Sequence, residues 1–392
     1  MSEPSFDPNT PPNPGGGWSE QITYLRDAVA VPASKGAFIQ PAGILGNDGQ
    51  YRPEGALWRK FRCLTTRPET PPHVHERLPG RWLWGGALSS DLELFLLEGT
   101  ARLWALEHLG EPVRGVLYIP KRPRTGSHTT GYQQDTVNLF APGLEIRVAT
   151  SPVQVEELVV PGQGFGHGDI IRGTGKFRAA IQNRFARDIS PDGPDKLYVQ
   201  APRADRRYLG EEHLEDLLSL QGYQSFRPDT RDVTTQIARY KAAAEIVVAE
   251  STAVHLMAMV SRPDQRVAIL KSHKSRKIGS KYAHLRHFGG LKPINIDPIG
   301  REWFRSGLPT AQTIGEIDHN KVGSVLSEEG FIPPDTNWPG LTDAERKEAF
   351  DAYPGREAGE FVETPLSIRR RIRLLRRRRR AKRAALQTLR ED

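Results

Sequence analysis

A short apolar run, Glu245–Ala249, passes directly into a polar turn, Glu250-Ser251-Thr252-Ala253, and then into the apolar stretch Val254–Val260. Before it lies a segment with helical character ending in Ala242–Ala244, and after it comes a second strand-like run, Arg266–Leu270. The spacing predicts helix, buried strand, turn, helix, strand, which is the repeating unit of an open α/β sheet. The turn between such a strand and a helix N-terminus is where these sheets take ligands, because backbone amides there are unpaired and the helix dipole favours an anion. Ser251 and Thr252 hydroxyls suit a phosphate or a ribose, and Glu250 suits a ribose hydroxyl. The other reading is local: Ser251 or Thr252 caps the helix that follows.

The same alternation extends on both sides. Lys196–Gln200 and Tyr223–Arg227 read as strands, and Gly210–Leu220 and Thr234–Ala244 as helices, so residues 196–270 are expected to form a doubly wound parallel sheet. Upstream, Gly115–Pro120, Leu144–Ala149 and Glu156–Val160 are strand candidates, and Phe177–Arg187 is a helix. Leu88–Leu109 has apolar residues at helical spacing and reads as one long amphipathic helix ended by Gly110. Asp188–Asp195 carries two prolines, a glycine and three aspartates, the composition of a linker. The expected organisation is a disordered N-terminus (1–20), an N-terminal domain (21–187), a linker (188–195), a second α/β domain (196–330), an extension (331–366) and a basic tail (367–392).

Charge is unevenly placed along these segments. The net charge is +8, yet 12 of the 55 Lys/Arg and 2 of the 47 Asp/Glu fall within Ser367–Asp392, which leaves the body at about −2. A nucleic-acid-binding domain carries its basic face on the folded part, so this distribution weighs against DNA or RNA as substrate. The tail places Ile368, Ile372, Leu375, Ala381, Ala384 and Leu386 along an imperfect apolar stripe. A basic amphipathic helix of this kind suits an anionic membrane surface; a nucleic-acid arm and a solvated charge run are the competing readings. Cys63 is the single cysteine, which excludes an internal disulfide and a cysteine-based zinc site and suits a reducing cytoplasm. The N-terminus lacks the basic start and apolar run of a signal peptide, and no run approaches the roughly 20 apolar residues of a membrane span.

Several pieces occur in the order found in glycosyltransferase family 61, often labelled capsular polysaccharide biosynthesis proteins. Leu197–Arg203 with Arg206-Arg207 and Gly210-Glu211-Glu212 resembles the family's strand, basic residues and helix start. Gly222-Tyr223, Phe226, Pro228-Asp229 and Gln236 resemble its Gly-Phe, strand, Pro-Glu and Gln-bearing helix. Ala242–Ala244, Ile246–Val248, Glu250–Ala253 and Val254-His255-Leu256 follow its Ala-rich helix end, strand, turn and helix. In the first half, Phe95–Glu98 and Ala101–Leu106 are similar to its Phe-Leu-Leu-Glu and Arg-Leu-Trp pieces. The likeness covers about Gly85–Leu270. Leu94 stands where the family has a histidine, Glu250-Ser251 where it has His-Gly, and Leu256 where it has Asn.

The resemblance implies a two-domain GT-B arrangement, in which two Rossmann-like halves face each other across a cleft. It also implies transfer of a sugar from a nucleotide sugar, UDP- or GDP-linked, to a polysaccharide or other glycan acceptor, with inversion and without an essential metal or other cofactor. A protein of this kind works in the cytoplasm, here with the basic tail at the inner membrane face. The alternative is a non-catalytic relative that binds glycan or nucleotide sugar.

Candidate residues follow. Arg203, Arg206 and Arg207 trail a strand's C-terminal end, where guanidinium groups meet diphosphate oxygens bidentately; otherwise they are a solvated loop. Glu250, Ser251, Thr252 and His255 are the remaining donor-binding candidates, His255 being equally a core histidine. Glu98 and Glu93 are the candidate bases for the acceptor hydroxyl, or else surface charges on an amphipathic helix. His73-Val74-His75-Glu76 lacks a third metal ligand and reads as loop. The glycine-rich segment Gly162–Gly168 has no P-loop lysine; His167 within it is a lesser candidate. Lys271–Lys277 is a basic loop.

Overall fold

The computed structural model describes residues 3–68, 73–202, 208–271, 279–306, 313–334, 336–353 and 359–391. Two principal sheets carry the molecule. The first contains β1 (Ile22–Val31), β2 (Gly43–Leu45), β3 (Glu76–Leu88), β4 (Gly115–Pro120), β5 (Glu145–Val148) and β6 (Val153–Pro161), in the order β2-β1-β6-β3-β4-β5. β6, β3, β4 and β5 run parallel, while β1 pairs antiparallel with β6 and with β2. The β5–β6 connection is residues 149–152 alone, too short for the helix that joins strands in a doubly wound sheet. This half is thus a mixed sheet rather than a regular alternation of strands and helices.

The second sheet meets the expectation closely. Its strands are β7 (Lys196–Val199), β8 (Gln224–Phe226), β9 (Glu245–Ala249), β10 (Arg266–Leu270) and β11 (Ile294–Ile296), all parallel, in the order β8-β7-β9-β10-β11. Such strands are buried on both faces, which is why they read as unbroken apolar runs. On one face, Ile246, Val248 and Ile269 pack with helices Val233–Ala242, Ala253–Val260 and Ser280–Phe288. On the other, Val247, Ala249 and Leu270 pack with helices Glu211–Ser219 and His319–Glu328. A smaller four-stranded sheet (Tyr208–Leu209, Ile314–Ile317, Ile299–Arg305, Phe361–Glu363) flanks this half, in a region with no clear pattern in the sequence.

The two halves share one apolar cluster. Leu83, Tyr118, Phe165 and Phe177 belong to the same packed group as Val199, Val248, Met257 and Leu285. The linker Asp188–Asp195 is tied to the second half: the amide of Asp192 donates to the Ala238 carbonyl at 3.1 Å, and the Asp195 carbonyl accepts from Ala244 and Glu245 at 2.8 and 2.9 Å.

Three expectations need correction. Leu88–Leu109 is not one long helix. β3 runs through Leu88, a single turn covers Leu92–Leu94, and the chain widens at Phe95–Gly99, where the Thr100 amide donates to the Phe95 carbonyl five residues back (3.2 Å). Gly99 permits this turn, because a Cβ there would sit 2.5 Å from the Phe95 ring. Arg102 ends the segment by turning inward, where its guanidinium donates to the carbonyls of Glu54, Ala56 and Pro161. The N-terminal segment is tied to the body around Trp18 rather than disordered: Trp18 is buried with Ala56 and Trp58, its indole N–H donates to the Thr10 carbonyl (3.1 Å), and the Ser5 carbonyl accepts from its amide (2.9 Å). A buried indole outweighs the loop-forming bias of the prolines and glycines around it.

The third concerns the tail, whose start is part of the fold. The helix runs Pro365–Glu391; Ser367 is buried with its hydroxyl on Glu363 (2.8 Å), and Arg370 and Arg371 pair with Glu302 and Glu363 at 3.4 and 2.9 Å. Ile372, Leu374 and Leu375 beyond this anchor are exposed. Among the described residues, no helix is long and apolar enough to cross a membrane.

Candidate active site

In a parallel sheet of order β8-β7-β9-β10-β11, the connections from β7 and from β9 leave in opposite directions, and a crevice opens at their carboxyl ends. A cavity of about 500 Å³ lies there. Pro202 after β7, Pro228 after β8 and the Thr252–Ala253 turn after β9 form its second-half wall. The first half supplies Asp91, Glu93, Tyr132 and Gln133. Local hydrogen bonds fix these groups. Asp91 caps its turn through the Leu94 amide (2.8 Å), and Thr130 and Gln133 form a reciprocal capping box. The Gln133 side chain also donates to the Ser89 carbonyl at 2.7 Å. Arg231 lines the cavity as well, and its guanidinium has no partner among the described residues.

Glu93 has the most unusual surroundings in the cavity wall. Lys281, on the first turn of Ser280–Phe288, donates to Glu93 Oε2 at 3.0 Å, and His255 Nε2 lies 3.7 Å from Glu93 Oε1. The His255 ring and the Lys281 ammonium hold the Glu93 carboxyl well below the usual carboxylate range. His255 has no solvent exposure, and its Nδ1 is 3.0 Å from Nδ1 of His284, itself fully buried against Phe165 and Phe288. One Nδ1 must donate and the other accept. An acceptor role for His255 Nδ1 leaves its Nε2–H facing the Glu93 carboxylate. Burial lowers the pKa of both rings, so the pair is neutral in the folded protein.

Glu98, five residues along the widened turn, points elsewhere. It is buried in a bidentate pair with Arg59, at 2.5 Å to Nε and 2.8 Å to Nη2. Lys121 at the end of β4 is buried nearby without a hydrogen-bond partner, and burial depresses its pKa to about 8. His167 borders the same group; its Nε2 is buried and unpartnered, and burial lowers its pKa. The two candidate bases therefore occupy different environments, and neither lies on a solvated helix face.

Of the donor-side candidates, Thr252 lines the cavity, while Ser251 is buried with its hydroxyl unpartnered. Neither side chain caps the helix Ala253–Val260; its first turn is closed by the Val254 and His255 amides, which donate to the Ser251 and Thr252 carbonyls at 3.3 and 2.9 Å. Glu250 follows β9 directly. His255 is buried behind the wall rather than lining it. Arg203, Arg206 and Arg207 lie outside the described residues. The sequence reading missed Lys281, His284, Arg59, Lys121 and Arg231, which no motif marks. Among the described residues, no group of three or more His, Cys, Asp or Glu side chains is arranged to hold a metal ion.

The cavity sits at the carboxyl ends of a parallel sheet and is faced by Asp91 and Glu93 from the turn after β3, the position at which open α/β sheets take ligands. The sequence profile of the family described as glycosyltransferase 61 matches residues 70–268, about half of the chain. The chain belongs to glycosyltransferase family 61 and is a glycosyltransferase. The match begins just before β3 and ends within β10, so it takes in most of the cavity wall. No curated protein matches the chain.

The buried histidine pair gives a pH dependence whose sign is fixed. His255 and His284 are neutral when folded and take up protons near pH 6.5 when unfolded, so the unfolded state binds more protons below that pH. Stability is therefore full above about pH 6.5 and declines as pH falls below it. Urea unfolding midpoints should drop between pH 7.5 and 5.5. The double variant His255→Leu/His284→Leu should show a clearly shallower drop; an equal drop would assign the effect to other groups.

Proposed function

We propose that the cavity binds a nucleotide sugar, UDP- or GDP-linked, together with a glycan hydroxyl, and that the enzyme transfers the sugar with inversion. The observation that carries this reading is that Glu93 of the first half and the Thr252–Ala253 turn of the second line one cavity. Inversion in a single displacement needs a proton acceptor on the face of the sugar opposite the departing diphosphate. Glu93 takes that role, accepting the proton as the acceptor oxygen attacks the anomeric carbon. The bond from that carbon to the phosphate oxygen breaks, and its electron pair stays with the nucleoside diphosphate. Glu98 contributes by holding Arg59 and the surrounding wall in place.

On the donor side, Arg203, Arg206 and Arg207 directly follow β7 and Pro202, a position suited to the diphosphate. Arg231 adds a cation from the turn after β8. Ser251 and Thr252 supply hydroxyls at the β9 end, and Glu250 a carboxylate for the ribose. These cations meet the charge of the leaving group with no metal or other cofactor assigned. The arrangement is of GT-B type, with an acceptor half before residue 188 and a donor half after 195; the first half is an abbreviated version, since β5 and β6 lack a connecting helix. Family membership favours transfer over a non-catalytic binding role.

The basic helix beyond Arg371 is assigned to the anionic cytoplasmic membrane surface. Its exposed Ile372, Leu374 and Leu375 alongside a run of arginines match a layer of acidic headgroups over hydrocarbon better than they match a polyanion in solution.

Glu93→Gln should lower kcat about 100- to 10,000-fold, in a screen of UDP- and GDP-sugars with glycan acceptors, without weakening nucleotide affinity. Full activity in this variant would remove Glu93 as the base. Deleting residues 376–392 keeps the anchored turn and should abolish co-sedimentation with anionic vesicles while leaving donor binding unchanged. Binding of the intact chain should weaken as salt rises. An intact chain that ignores anionic vesicles at low salt would contradict the membrane assignment.

A further inference from the structure

Glu93 presents a chemical difficulty as a base. A carboxylate in contact with an ammonium is a poor proton acceptor, and Lys281 sits 3.0 Å from its Oε2. The pair is also in an unusual place: the two residues are 188 positions apart, come from different halves, and meet in the wall of the cavity that Glu93 lines. Lys281 is largely buried, with 16% of its side chain exposed. Apart from Glu93, no other hydrogen bond or ion pair holds its ammonium among the described residues. Its four-carbon stem can move the ammonium by several ångströms with no change in backbone.

We propose that Lys281 is a ligand for the donor's diphosphate, held in reserve by Glu93. The inference rests on the reading of the cavity as a nucleotide-sugar site. When the diphosphate enters, it offers more negative charge than a single carboxylate, and the ammonium passes from Glu93 to a phosphate oxygen. No bond is made or broken in this step; one ion pair replaces another.

Two consequences follow from the exchange. The leaving group gains a cation from the helix Ser280–Phe288, in addition to Arg231 in the cavity wall. Glu93 loses one of the two groups that hold its carboxyl low, His255 remaining, and its affinity for the acceptor's proton rises when a donor is in place. Among the described residues, the remaining charged or titratable groups around it are His255 behind it, neutral and hydrogen-bonded to His284, the Asp91 carboxylate at the start of its own turn, and the more distant His167, with Tyr132, Asp229 and Arg231 elsewhere in the cavity wall. Among the described residues, no other cation is in contact with the Glu93 carboxylate to take the place of Lys281.

The test uses substitutions on the two members of one ion pair, which should act in opposite directions. Calorimetry with UDP and GDP on the full chain is the measurement. Lys281→Met should weaken binding of the nucleotide that the wild type prefers by tenfold or more, and Lys281→Arg should restore most of it. Binding of the parent nucleoside, which has no phosphate, should be the same in all variants. Glu93→Gln removes the competitor for the ammonium and should tighten nucleotide binding several-fold. A merely structural ion pair would weaken binding when either member is replaced, so weaker binding in Glu93→Gln would overturn the inference, as would undiminished binding in Lys281→Met. A wild type that binds neither nucleotide would instead overturn the donor-site reading itself, and the inference with it.

Discussion

The geometry of the cavity depends on the apolar layer packed between the two sheets. Phe165 from the glycine-rich loop stacks on Phe177 at 4.7 Å, and both rings meet Phe288, at 5.3 and 5.9 Å. Phe165 and Phe177 belong to the first half and Phe288 to the second, so the contact fixes helix Ser280–Phe288 against the first sheet. His284 and Lys281 lie on that helix, four and seven residues before Phe288. The aromatic contact therefore determines where the imidazole pair and the ammonium reach Glu93. Aromatic rings in offset and tilted contact resist sliding, because each displacement loses both area and favourable ring geometry.

A second constraint, the widened turn at Phe95–Gly99, sorts the carboxylates. In a regular helix, Glu93 and Glu98 would differ by five residues and point well away from each other on one solvated cylinder. Here the chain leaves β3, makes one turn capped by Asp91, and widens before Thr100. Glu93 ends in the cavity wall and Glu98 inside, on Arg59. Glu93 faces the cavity, while the buried Glu98 is committed to Arg59, since breaking that pair would leave an uncompensated charge costing about 3–5 kcal/mol. Family membership and cavity position agree on this region, because the matched residues 70–268 include this turn and both strand ends after β7 and β9.

Much of the second half was legible in the sequence. Glu245–Ala249 and Arg266–Leu270 are strands with the expected bounds, because doubly buried parallel strands require unbroken apolar runs and the flanking turns are polar. The first half was less so. Periodicity in Leu88–Leu109 reported burial correctly but not the path of the chain, since a widened turn keeps apolar side chains inward while breaking the helix. Trp18 was hidden in a loop-like composition because one buried indole leaves no periodic signal. At the site, Glu93 and His255 could be singled out from their local positions, but Lys281 and His284 could not. Their contacts span 188 and 29 residues, and only the packing of the two halves brings them together.

The central claim is that a nucleotide sugar is held between the two halves at the ends of β7 and β9. Hydrogen–deuterium exchange with saturating UDP or GDP tests it most directly. The account predicts protection at once in residues 90–96 of the first half and in 228–236 and 250–256 of the second. Protection confined to one half, or centred on the smaller acidic hollow lined by Glu211, Glu212, Asp216, Glu345 and Glu348, would contradict it.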